Sequence, residues 1–408
     1  MKAEVRTTDG KWPQVSLDEV AELNPRLAET LTAKDHVSFV PMSAVSAETA
    51  SITEEETRTY AEVAKGYTPF VSGDVLVAKI TPCFENGKIA QALLTHRAGF
   101  GSTEFHVVRP RANKLDARYT LHFLRLGRVR LAGERRMTGS AGQRRVPENF
   151  LAKLEIPLPP LAEQRRIAEV LDWAEALRAM RRAALAQLNF LTQSLFLDLF
   201  GDPVSKGWAM TDIAGVAKPV AGSIRTGPFG SQLLHSEFTD CGIAVLGIDN
   251  AVANEFRWSE RRFISEAKYR QLKRYTVHPG DVLITIMGTC GRCAVVPDDI
   301  PPAINTKHLC CITLDPAKCL PLFLHAYFLQ HPIARKYLTQ TAKGAIMSGL
   351  NMGLIKGMPI PLPPLPLQRE FACRVRAVEK LKTAQRTSLA QMDVLFASLQ
   401  HRAFSGEL

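Results

Sequence analysis

No apolar run in this 408-residue chain approaches the roughly 18 residues that a membrane span needs. The opening residues, MKAEVRTTDGKWPQ, lack the apolar core of a secretion signal. A cytoplasmic location without membrane contact is therefore expected. Catalytic signatures are scarce too. No Gly-x-Gly-x-x-Gly follows a strand, and Gly87-Lys88 runs into Ile89 without the upstream glycine of a phosphate loop. A chain that methylated adenine itself would show Asn/Asp-Pro-Pro-aromatic, whose polar groups accept the amino hydrogens while the ring stacks on a flipped base. Neither Asn24-Pro25 nor Asp202-Pro203 continues that way. Asp74 and Lys79 read as a turn and a strand residue rather than part of a nuclease centre, and the ten histidines are scattered.

Eight cysteines are present, and Cys290-Gly-Arg-Cys293 has the spacing of a zinc knuckle. A metal would need two more ligands. Cys310 and Cys311 are adjacent and chelate poorly together, no second Cys-x-x-Cys follows, and the segment reads as apolar strand. Reduced, partly buried thiols and no metal are the expectation. The length suits two or three domains, each with its own core. Lys and Arg number 51 against 40 Asp and Glu, a net charge of +11, which makes a polyanion the most economical partner.

What the chain does have is a repeat. Pro157-Leu158-Pro159-Pro160-Leu161 returns as Pro361-Leu362-Pro363-Pro364-Leu365, a shift of 361 − 157 = 204 residues. The same shift superposes Gln164 on Gln368, Arg165 on Arg369, Leu191 on Leu395 and Phe200 on Phe404. An internal pseudo-twofold architecture is implied. After each proline block, Ala162 to Phe200 and Pro366 to Phe404 run without an interior glycine or proline past the block itself, and each should be one helix about 58 Å long. A narrow apolar stripe in each, best represented by Leu177, Leu188, Leu191 and Leu195 and by Leu381, Met392, Leu395 and Leu399, suggests that the two helices pack antiparallel as a coiled coil. The segments between are alike only in outline. Each opens on a tryptophan, Trp12 or Trp208, and each has a Gly-Asp turn before an apolar strand, at Gly73-Asp74 and Gly280-Asp281. Like struts with unlike globules suit the reading of two different things at a fixed separation.

With the proline blocks, Gln164-Arg165-Arg166-Ile167-Ala168, Gly101-Ser102-Thr103-Glu104-Phe105, Ile224 to Ser231 and the ending Ala403 to Leu408 on the page, the chain resembles the DNA-specificity subunit of type I restriction-modification systems. The resemblance covers nearly all of it. It implies an α+β fold: two mixed α/β target recognition domains in pseudo-twofold arrangement, separated by two long antiparallel coiled-coil helices. The divisions would be 1–155 for the first recognition domain, 156–203 for a proline block and central spacer helix, 204–357 for the second recognition domain, and 358–408 for a proline block and C-terminal spacer helix. The implied partners are double-stranded DNA with a bipartite site, two modification subunits carrying S-adenosylmethionine and the methyl-transfer chemistry, and restriction subunits. No cofactor is expected in this chain. The rival reading is a self-contained DNA-modifying enzyme, a methyltransferase or nuclease, whose centre has escaped recognition.

Forked donors read base edges in the major groove, while cations and amides meet phosphates. The candidates for this work in the first domain are Lys79, Lys88, Ser140, Gln143, Arg144 and Arg145. In the second they are Arg225, Thr226, Ser231, Lys307, Lys343 and Ser348, with Gly227, Gly230 and Gly349 as turn formers.

Overall fold

The computed structural model describes residues 12–140, 142–259, 261–342 and 350–408. Lys343, Ser348 and Gly349 lie outside the described residues. The chain divides into two compact units, one of Met1–Ala183 with Gln385–Leu408 and one of Ala184–Ala384. The division cuts both long helices, Leu161–Phe200 and Leu365–Ser405. Each unit therefore holds a globule, the start of one helix and the end of the other.

In unit 1 a four-stranded sheet orders Glu56–Thr59, His36–Val40, Gly99–Gly101 and Thr68–Phe70, with Gly99–Gly101 parallel to His36–Val40 and the other pairings antiparallel. A second sheet, Ala21–Leu23, Phe105–Pro110, Val75–Ala78 and Ile89–Gln91, is antiparallel throughout. Val75–Ala78 is buried along its whole length, so its sequence is continuously apolar rather than alternating. Gln14–Ser16 pairs with Glu155–Pro157, whose last residue opens the proline block.

Unit 2 repeats this plan. Ile243–Leu246 lies parallel to Ala303–Asn305, with Phe263–Ile264 and Thr276–Val277 flanking them. Ile224–Thr226, Leu309–Ile312, Val282–Thr285 and Cys293–Val295 form the antiparallel sheet, and Met210–Asp212 pairs with Pro359–Pro361. The likeness that the sequence shows only in outline is a shared strand order. Unit 2 adds one edge strand, Phe238–Thr239. The two Gly-Asp turns have a common reason: Gly73 and Gly280 take positive φ, +95° and +77°, where a side chain would be strained. The aspartates after them are buried and bonded. Asp74 receives the Arg109 guanidinium through two bonds of 2.8 Å. Asp281 receives Arg225 at 2.7 Å and the Thr313 hydroxyl at 2.7 Å.

The repeated glutamine joins helix to globule. In unit 1 the buried Gln164 accepts from the Asp116 amide at 2.8 Å and donates to the carbonyls of Lys114 and Pro159 at 2.9 and 2.8 Å. In unit 2 Gln368 accepts from Leu320 and donates to Lys318 and Pro363 at 2.8, 3.0 and 2.9 Å. All four orphaned-donor problems at such a helix start cannot be solved by one side chain, but this one ties the first turn to the carbonyls and amide of the loop ahead of the globule's own helix. The aromatic ends follow the same logic. Phe404 packs on Tyr119 and Phe123 in unit 1, and Phe200 on Phe323 and Phe371 in unit 2.

Within each unit the helix segments run antiparallel. In unit 1 Arg178 reaches Asp393 and lies over the Phe396 ring, while Arg181 donates to Gln385 at 2.7 Å. In unit 2 Lys382 donates to Thr192 at 3.2 Å, and Phe371 meets Phe196. The seam differs from the expected one. Leu177, Leu191, Leu381 and Leu395 are exposed, between 42% and 57%. Leu188, Leu195, Met392 and Leu399 are half-buried, with Leu195 against the unit 2 core and Leu399 against the unit 1 core. Buried positions include Ile167 and Leu171 in one helix and Phe371, Val375, Val378 and Lys382 in the other, with Arg178 half-buried; Arg178 and Lys382 each lie one position beyond an exposed leucine, Leu177 and Leu381. A basic residue at a buried seam position breaks the apolar pattern and moves the best-looking stripe onto the adjacent face. Lys382 is buried there because its ammonium pairs with Glu379 at 2.7 Å and its stem covers apolar surface.

Candidate nucleic-acid interface

The unit 1 candidates gather on two adjoining loops. Lys79 directly follows the strand Val75–Ala78; its amide donates to the Glu104 carbonyl at 2.8 Å, and its own carbonyl accepts from Val146 at 2.9 Å. The Thr81 amide donates to Arg144 at 2.9 Å, and the Ala78 amide to Lys88 at 3.0 Å. These backbone bonds bring the segments of Lys79, Lys88, Arg144 and Arg145 together, with Ser140 and Gln143 exposed beside them. Two of the cations are engaged within the protein. Lys88 Nζ donates to the Met42 carbonyl at 2.9 Å. Arg145 forks onto Glu104 at 2.9 and 2.7 Å, which holds that carboxyl below the usual carboxylate range. Arg144 is looser, 3.9 Å from Glu85.

In unit 2 a cleft of roughly 960 Å3 opens beside the turn Thr306-Lys307-His308. Lys307 lines it directly, as do Gly230, Leu233, Phe238, Ile248, Asp249, Val252 and Arg262. Ser231 is exposed next to its Gly230 wall, and Thr226 is half-buried on the strand leading there. Gly227 brings that strand's end against the turn, since a Cβ there would fall 2.0 Å from the Asn305 carbonyl oxygen. Arg225 is a correction. It is buried, and its guanidinium is committed to Asp281, Thr313 and the carbonyls of Gly222 and Thr276, so it braces the sheet instead of facing a phosphate. Burial, helped by the nearby charges of Lys307 and Arg262, keeps His308 below the usual histidine range.

Sequence reasoning passed over Glu104, Arg262 and His308. A signal was available, because Glu104 and His308 are related by the repeat, 308 − 104 = 204. The same turn thus presents a carboxylate clamped by arginine in unit 1 and an imidazole beside lysine in unit 2. As to the cysteines, Cys293 is buried in its strand and burial pushes its thiol far up, while Cys310 is pushed up to about 12 by burial. Among the described residues no group of three or more His, Cys, Asp or Glu side chains is placed to hold a metal ion. No described helix is long and apolar enough to cross a membrane.

The family model of the type I restriction modification DNA specificity domain matches residues 9–189 and 248–391, most of both units. The chain belongs to this family. It is 42% identical over 157 residues to the specificity subunit of the type I restriction enzyme EcoEI of Escherichia coli, an alignment covering 38% of this chain and 26% of the relative. It thus spans only about a quarter of the length of that relative and of the EcoAI subunit. The specificity subunit of MjaVIII of Methanocaldococcus jannaschii is 22% identical over 379 residues, 85% of this chain and 87% of its own length. Among solved structures, the S subunit of a type I restriction-modification system from M. genitalium matches with TM-score 0.57 at 14% identity, over 99% of this chain and 98% of that one. A chain from a study of complex assembly and conformational transition of the type I R-M system reaches TM-score 0.59 at 20% identity, over 99% and 100%. At these identities the likeness is one of fold. The specificity-domain fold therefore accounts for both units.

Proposed function

We propose that the chain is the sequence-specific DNA-binding subunit of a type I restriction-modification complex. It reads double-stranded DNA at an asymmetric, bipartite site and leaves methyl transfer, with S-adenosylmethionine, to two modification subunits, and cleavage to restriction subunits. The chain itself is non-catalytic and works in the cytoplasm. The observation that carries this reading is one strand order built twice under two unlike sets of polar loops: Lys79 and Arg145 beside Glu104, with Lys88 and Arg144 on the adjoining segments, in unit 1, and Thr226, Ser231 and Lys307 around the cleft in unit 2. A duplicated scaffold with divergent loops is what two different half-sites require. Lys343 and Ser348 keep the same proposed role.

The exposed leucines fit the partner side of this reading. Trp173, Leu177 and Met180 project at helical spacing in unit 1, with Val394 and Leu395 on the partner helix; Phe190, Leu191, Leu197 and Leu381 do so in unit 2. Exposed apolar side chains recurring at repeat-related positions, Leu177 with Leu381 and Leu191 with Leu395, suit two copies of one docking partner. Methylation mapping of a strain expressing the chain with a modification partner tests the reading. An asymmetric motif of two half-sites around an unread gap is expected, and a continuous or palindromic motif would overturn it.

A further inference from the structure

The cleft of unit 2 has two chemically distinct sides. Lys307, the His308 imidazole and Arg262 supply a polar side with nitrogen donors for an anion, and Leu233, Phe238 and Ile248 an apolar one. Among the described lining residues the one carboxylate, Asp249, is matched by Arg262 Nη2 at 2.8 Å and by the Ser259 hydroxyl, so its charge is neutralised locally. The volume, roughly 960 Å3, falls in the range of sites that take a small ligand rather than a groove for a whole duplex.

We propose that this cleft is a nucleotide subsite, in which Lys307, His308 and Arg262 take one phosphate and the attached base lies on the apolar side. A lysine serves phosphate as a point charge and arginine as a fork. An apolar wall accepts any base face without reading its edge. The subsite rests on the DNA reading above and deepens it: a polynucleotide would enter unit 2 with one nucleotide turned into the cleft, whereas a free nucleotide has the same chemistry without the chain.

Saturation-transfer NMR on the full chain with dAMP as probe tests the subsite. Transfer to the adenine protons is expected, with competition by inorganic phosphate. In a Lys307→Ala, His308→Ala double variant the nucleotide should bind about tenfold or more weakly, and Lys307→Arg should recover most of it, with thermal unfolding unchanged as the check on folding. No transfer from the wild-type chain, or transfer indifferent to the double variant, overturns the proposal. Adding a duplex oligonucleotide separates the sources. Displacement of dAMP assigns the cleft to the DNA path, and duplex binding without displacement assigns it to a free nucleotide. A duplex that does not bind at all, while dAMP does, leaves the subsite standing and counts against the DNA reading alone.

Discussion

In unit 1 the globule's helix Ala117–Leu124 meets the long helix through Asp172, which accepts from His122 Nε2 at 2.8 Å and from Arg118 Nε at 3.0 Å. Repeat-related positions in unit 2 carry Leu322, Ala326 and Arg376, and there the junction is made by Phe196, Phe200, Phe323 and Phe371. Aromatic rings pack at the helix ends of both copies, Phe404 on Tyr119 and Phe123 in unit 1, and among the described residues unit 1 alone adds the charged contact at Asp172. The glutamine clamp and the buried aspartate, by contrast, occur in both. The difference teaches which parts of the scaffold are set by geometry: a helix start and a tight turn each demand one particular hydrogen-bonding solution, whereas a contact between two helix faces can be filled by any complementary pair.

Breaking a shared element should have the largest effect, and the size should differ between copies. Asp281→Ala strands a buried guanidinium and should destabilise unit 2 by about 3–5 kcal/mol. Asp74→Ala in unit 1 should cost less, about 1–3 kcal/mol, because the Arg109 side chain is 24% exposed and can turn to water. Hydrogen exchange of Val282–Thr285 and Val75–Ala78, followed by mass spectrometry, reads the two units separately. Equal losses would show that exposure of the arginine does not matter. Removing a clamp comes next. Gln368→Ala or Gln164→Ala leaves one amide and two carbonyls unsatisfied and should cost about 2–3 kcal/mol in either unit. A large inequality between the two variants in urea midpoint would mean that the clamps are not equivalent.

The unlike junctions should separate under acid. Burial acts to raise the Asp172 pKa, but the hydrogen bonds from His122 and Arg118 prevail and bring it to about 2, below its unfolded value near 3.9. Its stabilisation is therefore complete above about pH 4 and is lost as pH falls towards 2. With the carboxylate about a third exposed, solvent screening reduces the effect to about 1 kcal/mol. Urea midpoints measured at pH 4 and pH 2.5 should converge for wild type and Asp172→Asn at the lower pH; an undiminished gap would exclude the junction as the titrating element. The smallest expected effect concerns the repeat-related turn. Glu104→His gives unit 1 the residue of unit 2, removes a negative charge and releases Arg145, so the salt dependence of DNA binding should steepen by up to about 1 in log–log slope. An unchanged slope would take this turn out of the unit 1 interface.

Much of the architecture was open to reading in the chain itself. The shift of 204 residues, the uninterrupted helices and the Gly-Asp turns are local or periodic facts, and local geometry obliges them: prolines start a helix, glycine takes positive φ, and a copied segment folds as its copy does. The family resemblance followed from the same segments. The choice of helix face was not legible, because the inward placing of Arg178, half-buried, and Lys382, buried, depends on partners contributed by Glu175, Glu379, Asp393 and Thr192, and no hydropathy pattern records a charge that has been neutralised. Nor was the fate of each candidate cation. Arg225 and Arg145 look alike in sequence, yet one is sealed under Asp281 and the other is half-open on Glu104, a distinction made by strands far apart in the chain. Sequence alone determined that there are two copies of one scaffold with different loops. Only the tertiary structure decided which charges those loops leave facing water, because pairing across strands consumes some of them and sequence position does not say which.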